Sequence, residues 1–230
     1  MTIALVVGCS LLGLVIGWML DPVITRVPRK QPVLGPPAPD GPASPRGRRI
    51  AVALINAALF GAMAARFDDS WTLVAYLVLT GALVTLAAID LETYLLPNRI
   101  VYPLTVAMLV LLPLGLLADG DTDAIGRGLL AGVIAFAAFF VVHLISPRGM
   151  GFGDVKLSFT LGLALGCVGW GEMILGLFLG FFYGAIIGLV ILAVSKRGRG
   201  QAVPFGPFLA AGAVTALLVG MPILDWYRGT

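Results

Sequence analysis

The sequence predicts an all-α fold: a polytopic membrane helical bundle of about eight transmembrane helices, forming one domain over residues 1–230. Three observations carry this. Hydrophobic residues make up 59% of the chain and charged residues only 12%, against about 25% charged in a soluble domain. Apolar stretches of membrane-spanning length recur along the chain. Lys and Arg gather on alternate connectors between those stretches.

A hydrocarbon core about 30 Å thick takes about 20 apolar residues per helix. On that measure the spans fall at 3–20, 50–66, 71–89, 100–118, 127–145, 156–171, 173–194 and 205–224. No Lys or Arg precedes the first span and no small-x-small site follows it, so it reads as a retained helix and not a cleaved signal. Residues 21–49 include the stretch PVLGPPAPDGPASPRGRR. Without apolar periodicity, this segment reads as a flexible cytoplasmic loop. The sixth span is the shortest, with Leu157–Trp170 as its apolar part. It either starts inside the preceding connector or crosses only partly. In the seventh, Gly176, Gly180, Gly184 and Gly188 recur every four residues. They make a flat face for a neighbouring helix of the same bundle.

The basic residues set the orientation. With the N-terminus outside, the inner side holds Arg26, Arg29, Lys30, Arg46, Arg48, Arg49, Arg99, Arg148, Lys156, Lys196, Arg197 and Arg199, and the outer side only Arg66, Arg127 and Arg228. Acidic residues lean outward: Asp68, Asp69, Asp119, Asp121, Asp123, Glu172 and Asp225. Cys9 and Cys167 stand alone in apolar runs, and His143 is the single histidine. No structural disulfide, metal or other cofactor is expected from such a set. Membrane lipid is the expected surrounding, and no nucleic-acid partner is expected.

Two places depart from plain spans and connectors. Asp90 follows the third apolar span without a spacer and leads into Leu95-Leu96-Pro97-Asn98. A carboxylate at the edge of hydrocarbon is costly and is usually turned into the bundle and used. Pro97 marks a helix end or break, because it fixes its own φ and biases Leu96 toward extended backbone. The second place is Gly149-Met150-Gly151-Phe152-Gly153-Asp154, where alternate glycines admit unusual backbone angles or a close neighbour. In the topology above, Asp90 and Asp154 lie at one depth, at the inner boundary, on different helices. Taken singly, each acid is also what a helix cap or a loop residue would show. Taken together they supply a hydrolytic pair. Two close carboxyl groups cannot both ionise, so they share a proton. One then draws a proton from a water and the other hydrogen-bonds a scissile carbonyl. No GxSxG elbow offers a competing nucleophile.

These residues resemble the type IV prepilin peptidases, within the GxGD membrane aspartyl proteases. Gly151-Phe152-Gly153-Asp154-Val155-Lys156-Leu157 is similar to that family's GxGDxKL motif, and Asp90 through Pro97-Asn98 to its first aspartate motif. Pro204-Phe205-Gly206-Pro207 resembles the segment that opens its last helix. Gly17 through Pro28 resembles its first helix and Arg-x-Pro exit. The resemblance spans nearly the whole chain. It implies a membrane aspartic endopeptidase that removes a short basic leader from type IV pilin or pseudopilin precursors. Cleavage would follow a glycine that precedes an apolar helix, at the cytoplasmic face of the bacterial inner membrane.

Carried over, Asp90 and Asp154 would be catalytic, while Gly151, Gly153, Lys156, Pro97 and Asn98 would position or bind substrate. Lys156 would bias Asp154 toward its ionised form, or else snorkel at the boundary. Glu92 would attract the leader, or else stand as a solvated surface acid. The chain departs from the pattern in one respect: members with a larger cytoplasmic domain carry two CxxC pairs there, associated with zinc and N-methylation, and residues 21–49 hold no cysteine. Methyltransferase activity is therefore not expected. A presenilin-like protease would share GxGD but calls for Pro-Ala-Leu where Pro204-Phe205-Gly206 stands. A small proton-coupled transporter would place its acids nearer the midplane.

Overall fold

A computed structural model of the chain describes residues 3–31, 45–147, 149–194 and 204–228. Among them every regular element is a helix: α1 (Ile3–Arg26), α2 (Arg46–Phe67), α3 (Leu73–Thr93), α4 (Asn98–Asp119), α5 (Asp123–Ile145), α6 (Phe152–Val168), α7 (Trp170–Val194) and α8 (Gly206–Arg228). The predicted count and order are met. Among the described residues six helices, α1–α5 and α7, are long and apolar enough to cross a membrane. Lipid offers no partner for a bare peptide group, which is why helices are the form these stretches take.

Helix ends depart from the hydropathy limits for a physical reason. Asp21–Arg26 continues α1, and Arg46–Arg49 begins α2, where hydropathy predicts loop. Arg48 donates to Asp21 Oδ1 from Nε (3.1 Å) and Nη2 (2.8 Å). The polar ends of the hairpin thus hold one another in helical register. The rest of the expected flexible loop, 32–44, lies outside the described residues, as do Arg148, Lys196, Arg197 and Arg199.

Helices α1 and α2, α5 and α6, and α7 and α8 pack as three intimate hairpins. On α7, Gly176 faces Ala213 and Ala216, Gly180 faces Leu209 and Gly184 faces Phe205. Gly176, Gly180 and Gly184 thus serve packing against α8 and the Phe205 that precedes it, whereas a Cβ on Gly188 would meet nothing within 4 Å. The helix α4 touches both α3 and α6, and so does α8.

The shortest span, α6, is the most enclosed. At 17 residues it is about 26 Å long by its rise, less than the hydrocarbon thickness. Its side chains from Leu161 to Cys167 are all buried. Protein and not lipid surrounds it, with α4, α5, α7 and α8 all packed against it. A helix in that position need not match the bilayer, and an apolar surface all round is what burial requires. Its C-terminal carbonyls are held by Arg127, whose Nε donates to Gly166 (2.8 Å) and whose Nη2 donates to Cys167 (2.6 Å).

Side-chain links sort the helix ends into two sets. Asp21, Arg48 and Glu92 join the end of α1, the start of α2 and the end of α3. The starts of α4 and α6 meet through Asn98 and Lys156. At the opposite end, Asp119 of α4 accepts from Ser70 Oγ (2.6 Å) and Trp71 N–H (3.0 Å) before α3. Asp90 and Asp154 belong to the first set.

Candidate active site

Asp90 lies in the last turn of α3 and is 4% exposed. It is not the cap of that helix. Tyr94 is, in left-handed backbone (φ 56°), with its N–H donating to the Asp90 carbonyl at 2.8 Å. The side chain is therefore free for another partner, and finds it across the bundle: Gly206 N–H donates to Asp90 Oδ2 at 3.0 Å. Gly206 is the first residue of α8, where backbone donors are left unpaired by the helix and point outward.

A side chain at position 206 would push Asp90 out of place. A Cβ there would stand 2.8 Å from Asp90 Oδ2 and 3.2 Å from Leu96 Cδ2. We expect Gly206→Ala to lower the rate of any reaction that uses Asp90 by about tenfold or more, equivalent to about 1.4 kcal/mol of misplacement. The check is turnover of purified protein beside a thermal unfolding profile. Full activity would show that the Gly206 contact is incidental.

Asp154 is 7% exposed and occupies the third position of α6, after the N-cap Gly151. It does not cap the helix with its side chain either. Its Oδ1 is buried and has no hydrogen-bond partner in the protein. Such an atom is expensive to keep without a partner. Leu96 lies against Gly153, next to Asp154, and against Gly206, the partner of Asp90, which ties the two acids from remote stretches of chain to one place.

The glycines of this motif act by making room. Gly151 takes φ −67° and ψ 143°, open to any residue, so unusual backbone angles are not its reason. A Cβ on Gly151 would lie 3.2 Å from Asp154 Oδ2, and one on Gly153 would lie 2.8 Å from Leu96 Cβ. Leu96 thus packs on the start of α6 and of α8 at once, and the connector between α3 and α4 becomes the wedge that spaces them. Pro97 caps α4 in extended backbone (φ −70°, ψ 128°), as its effect on chain direction predicts.

Lys156 does not meet Asp154. Its Nζ donates to Asn98 Oδ1 at 2.9 Å and stands over the Phe152 and Tyr102 rings at 4.9 and 5.0 Å. Residues two apart on a helix face different ways, which sequence proximity alone concealed. Glu92 is an exposed acid ion-paired with Arg48 at 2.6 Å. Asp21, only 2% exposed, was missed, although it follows an apolar span as directly as Asp90 does.

Fold and site together define a multi-pass helical membrane protein that brings two buried acids from different helices to one end of its bundle. The chain belongs to the type IV leader peptidase family. That family's profile matches residues 77–189, which include both acids. The chain is 31% identical over 180 residues to the prepilin leader peptidase/N-methyltransferase of Bacillus subtilis, covering 77% of this chain and 68% of that protein. It is 36% identical to the protein of the same description from Pseudomonas aeruginosa (76% of this chain, 60% of that one). With that from Stutzerimonas stutzeri the identity is 35% (74% and 57%). The chain thus spans less than two thirds of the length of the latter two. No solved structure matches it.

Proposed function

We propose that this chain is an aspartic-type endopeptidase that removes the basic leader from type IV pilin or pseudopilin precursors. One observation carries the reading most directly: two buried carboxyl groups at one end of the bundle, one fixed by a helix-terminal N–H and the other holding an unpartnered oxygen. Held by Gly206, Asp90 is placed to act as base on a water between the acids. Asp154, through Oδ1, is placed to carry the shared proton to the scissile carbonyl oxygen. Water adds to the carbonyl carbon, and the amine leaves with a proton returned through the pair. Protonation belongs to the pair and not to either acid alone. Gly153 and Leu96 hold the spacing between the helices that bear the acids.

The active end faces the cytoplasm of a bacterial inner membrane in this reading, with the N-terminus outside. The support is the charge bias: Arg26, Arg46, Arg48, Arg49, Arg99 and Lys156 lie at the ends or first turns of helices on the side of the acids. The N-methyl transfer in the relatives' description is not carried over, because residues 21–49 hold no cysteine.

The test is direct. Purified protein in liposomes is mixed with a precursor bearing a basic leader, a glycine and an apolar helix, and the products are weighed. A released leader is expected, unchanged by chelators and by reagents that block serine or cysteine. An intact precursor, or cleavage that a chelator stops, overturns the proposal.

A further inference from the structure

An apolar groove of about 300 Å³ runs between α3 and α8, with Leu83 and Ala87 on one wall, Pro207, Ala211 and Thr215 on the other, and Leu59 of α2 beside them. Its position relative to the acids is fixed by helix geometry. Ala87 and Leu83 stand three and seven residues before Asp90, so all three share one face of α3. Pro207 adjoins Gly206, whose N–H holds Asp90. The groove therefore leads along the helices to the candidate active site. A larger groove, about 460 Å³, is lined by Val74, Val78, Gly81 and Thr85 of α3, on the face turned away from Asp90.

We propose that the α3–α8 groove is the docking site for the apolar helix that follows the cleavage point of the substrate. The inference rests on the function proposed above. A chain cut between Asp90 and Asp154 must continue into lipid along the protein surface, and this groove is the apolar path that starts beside Asp90. Pro207, Ala211 and Thr215 recur every four residues, making a line of small side chains about 12 Å long. Such a line lets a second helix backbone come close, which an acyl chain does not require. Thr215 Oγ1 is already spent on the Ala211 carbonyl of its own helix (2.8 Å), so the wall offers a helix no polar demand. The other face of α8 is taken: Ala213 and Ala216 pack on Gly176 of α7.

The experiment uses the full chain in liposomes and two substrates: the whole precursor, and a short peptide with the leader, the glycine and only the first residues of the helix. Ala211→Phe fills the groove from an exposed position, and Val78→Phe fills the opposite one. Ala211→Phe is expected to raise KM for the whole precursor about tenfold or more, the equivalent of about 1.4 kcal/mol. It should leave kcat and the short peptide unchanged, and Val78→Phe should change neither substrate. An unchanged KM with Ala211→Phe, as lipid occupancy would give, overturns the docking site.

Binding is also read without catalysis. Ala211→Cys in an Asp154→Asn background is expected to cross-link to cysteines spaced every three or four residues on the precursor's apolar helix, and Val78→Cys is not. Absent or equal cross-linking overturns the proposal. Cross-linking in that background, together with a protein carrying the native Asp154 that leaves the precursor intact, would uphold the groove and overturn the peptidase reading. Cleavage by the protein with native Asp154, without cross-linking in the variant, would do the reverse.

Discussion

Asp154→Asn is expected to reduce leader cleavage by a factor of about 10² to 10⁴, the usual contribution of a group that moves a proton in the rate-determining step. Asn keeps the shape of the side chain, and Asp154 Oδ1 has no partner to lose. Insertion and thermal unfolding should therefore be those of the parent. In the proposed mechanism each acid works only through the other, so Asp90→Asn is expected to lose as much. The double variant should fall little further than either single one, since residues acting as a unit are strongly non-additive. The measurement is initial rate on a precursor with matched protein in the membrane. Processing at the parental rate by either variant would remove the pair from the mechanism. Multiplication of the two losses in the double variant would mean that the acids act separately.

The number of helices could be read from the sequence because lipid imposes it. A peptide group in hydrocarbon must be paired within its own helix, so apolar length is nearly a structural observation. The common depth of Asp90 and Asp154 was legible for a related reason: charge bias orders the connectors, and each acid borders a span. Contacts that depend on rotation about a helix axis were not legible. Lys156 turns to Asn98 and not to Asp154, and Glu92 turns to Arg48. Hydropathy reports where lipid ends and not where the helix ends, which is why α1 continues to Arg26 and α2 begins at Arg46. The short sixth span is the sharpest case. Its length leaves open a start inside the preceding connector or a partial crossing; the helix does start inside the connector, at Phe152, and its burial shows that it answers to neighbouring helices and not to the bilayer.

Arg48→Ala is expected to cost about 3 kcal/mol, the lower end of what breaking a buried ion pair costs. Two acids share this guanidinium, and they are not equal. The Asp21 side chain is 3% exposed and receives two donors from Arg48, whereas the Glu92 side chain is 41% exposed and receives one. Water can replace Arg48 at Glu92 but not at Asp21. The Glu92 pair should therefore contribute well under about 1 kcal/mol, as exposed pairs do, and Glu92→Gln should barely move the unfolding midpoint in detergent. The Asp21 half carries the loss, through a carboxylate left buried beside Thr25 with its charge unanswered. Removing that charge as well should recover stability, so Asp21→Asn combined with Arg48→Ala is expected to be more stable than Arg48→Ala alone. If Glu92→Gln proves as damaging as Arg48→Ala, or the double variant is the least stable of the set, burial of Asp21 is not what makes the contact matter. The junction lies two residues beyond Asp90 on α3, so the same variants should be assayed for cleavage. A rate that falls with Arg48→Ala at a temperature where the protein remains folded would show that the α1–α2 hairpin also sets the position of the Asp90 end of α3.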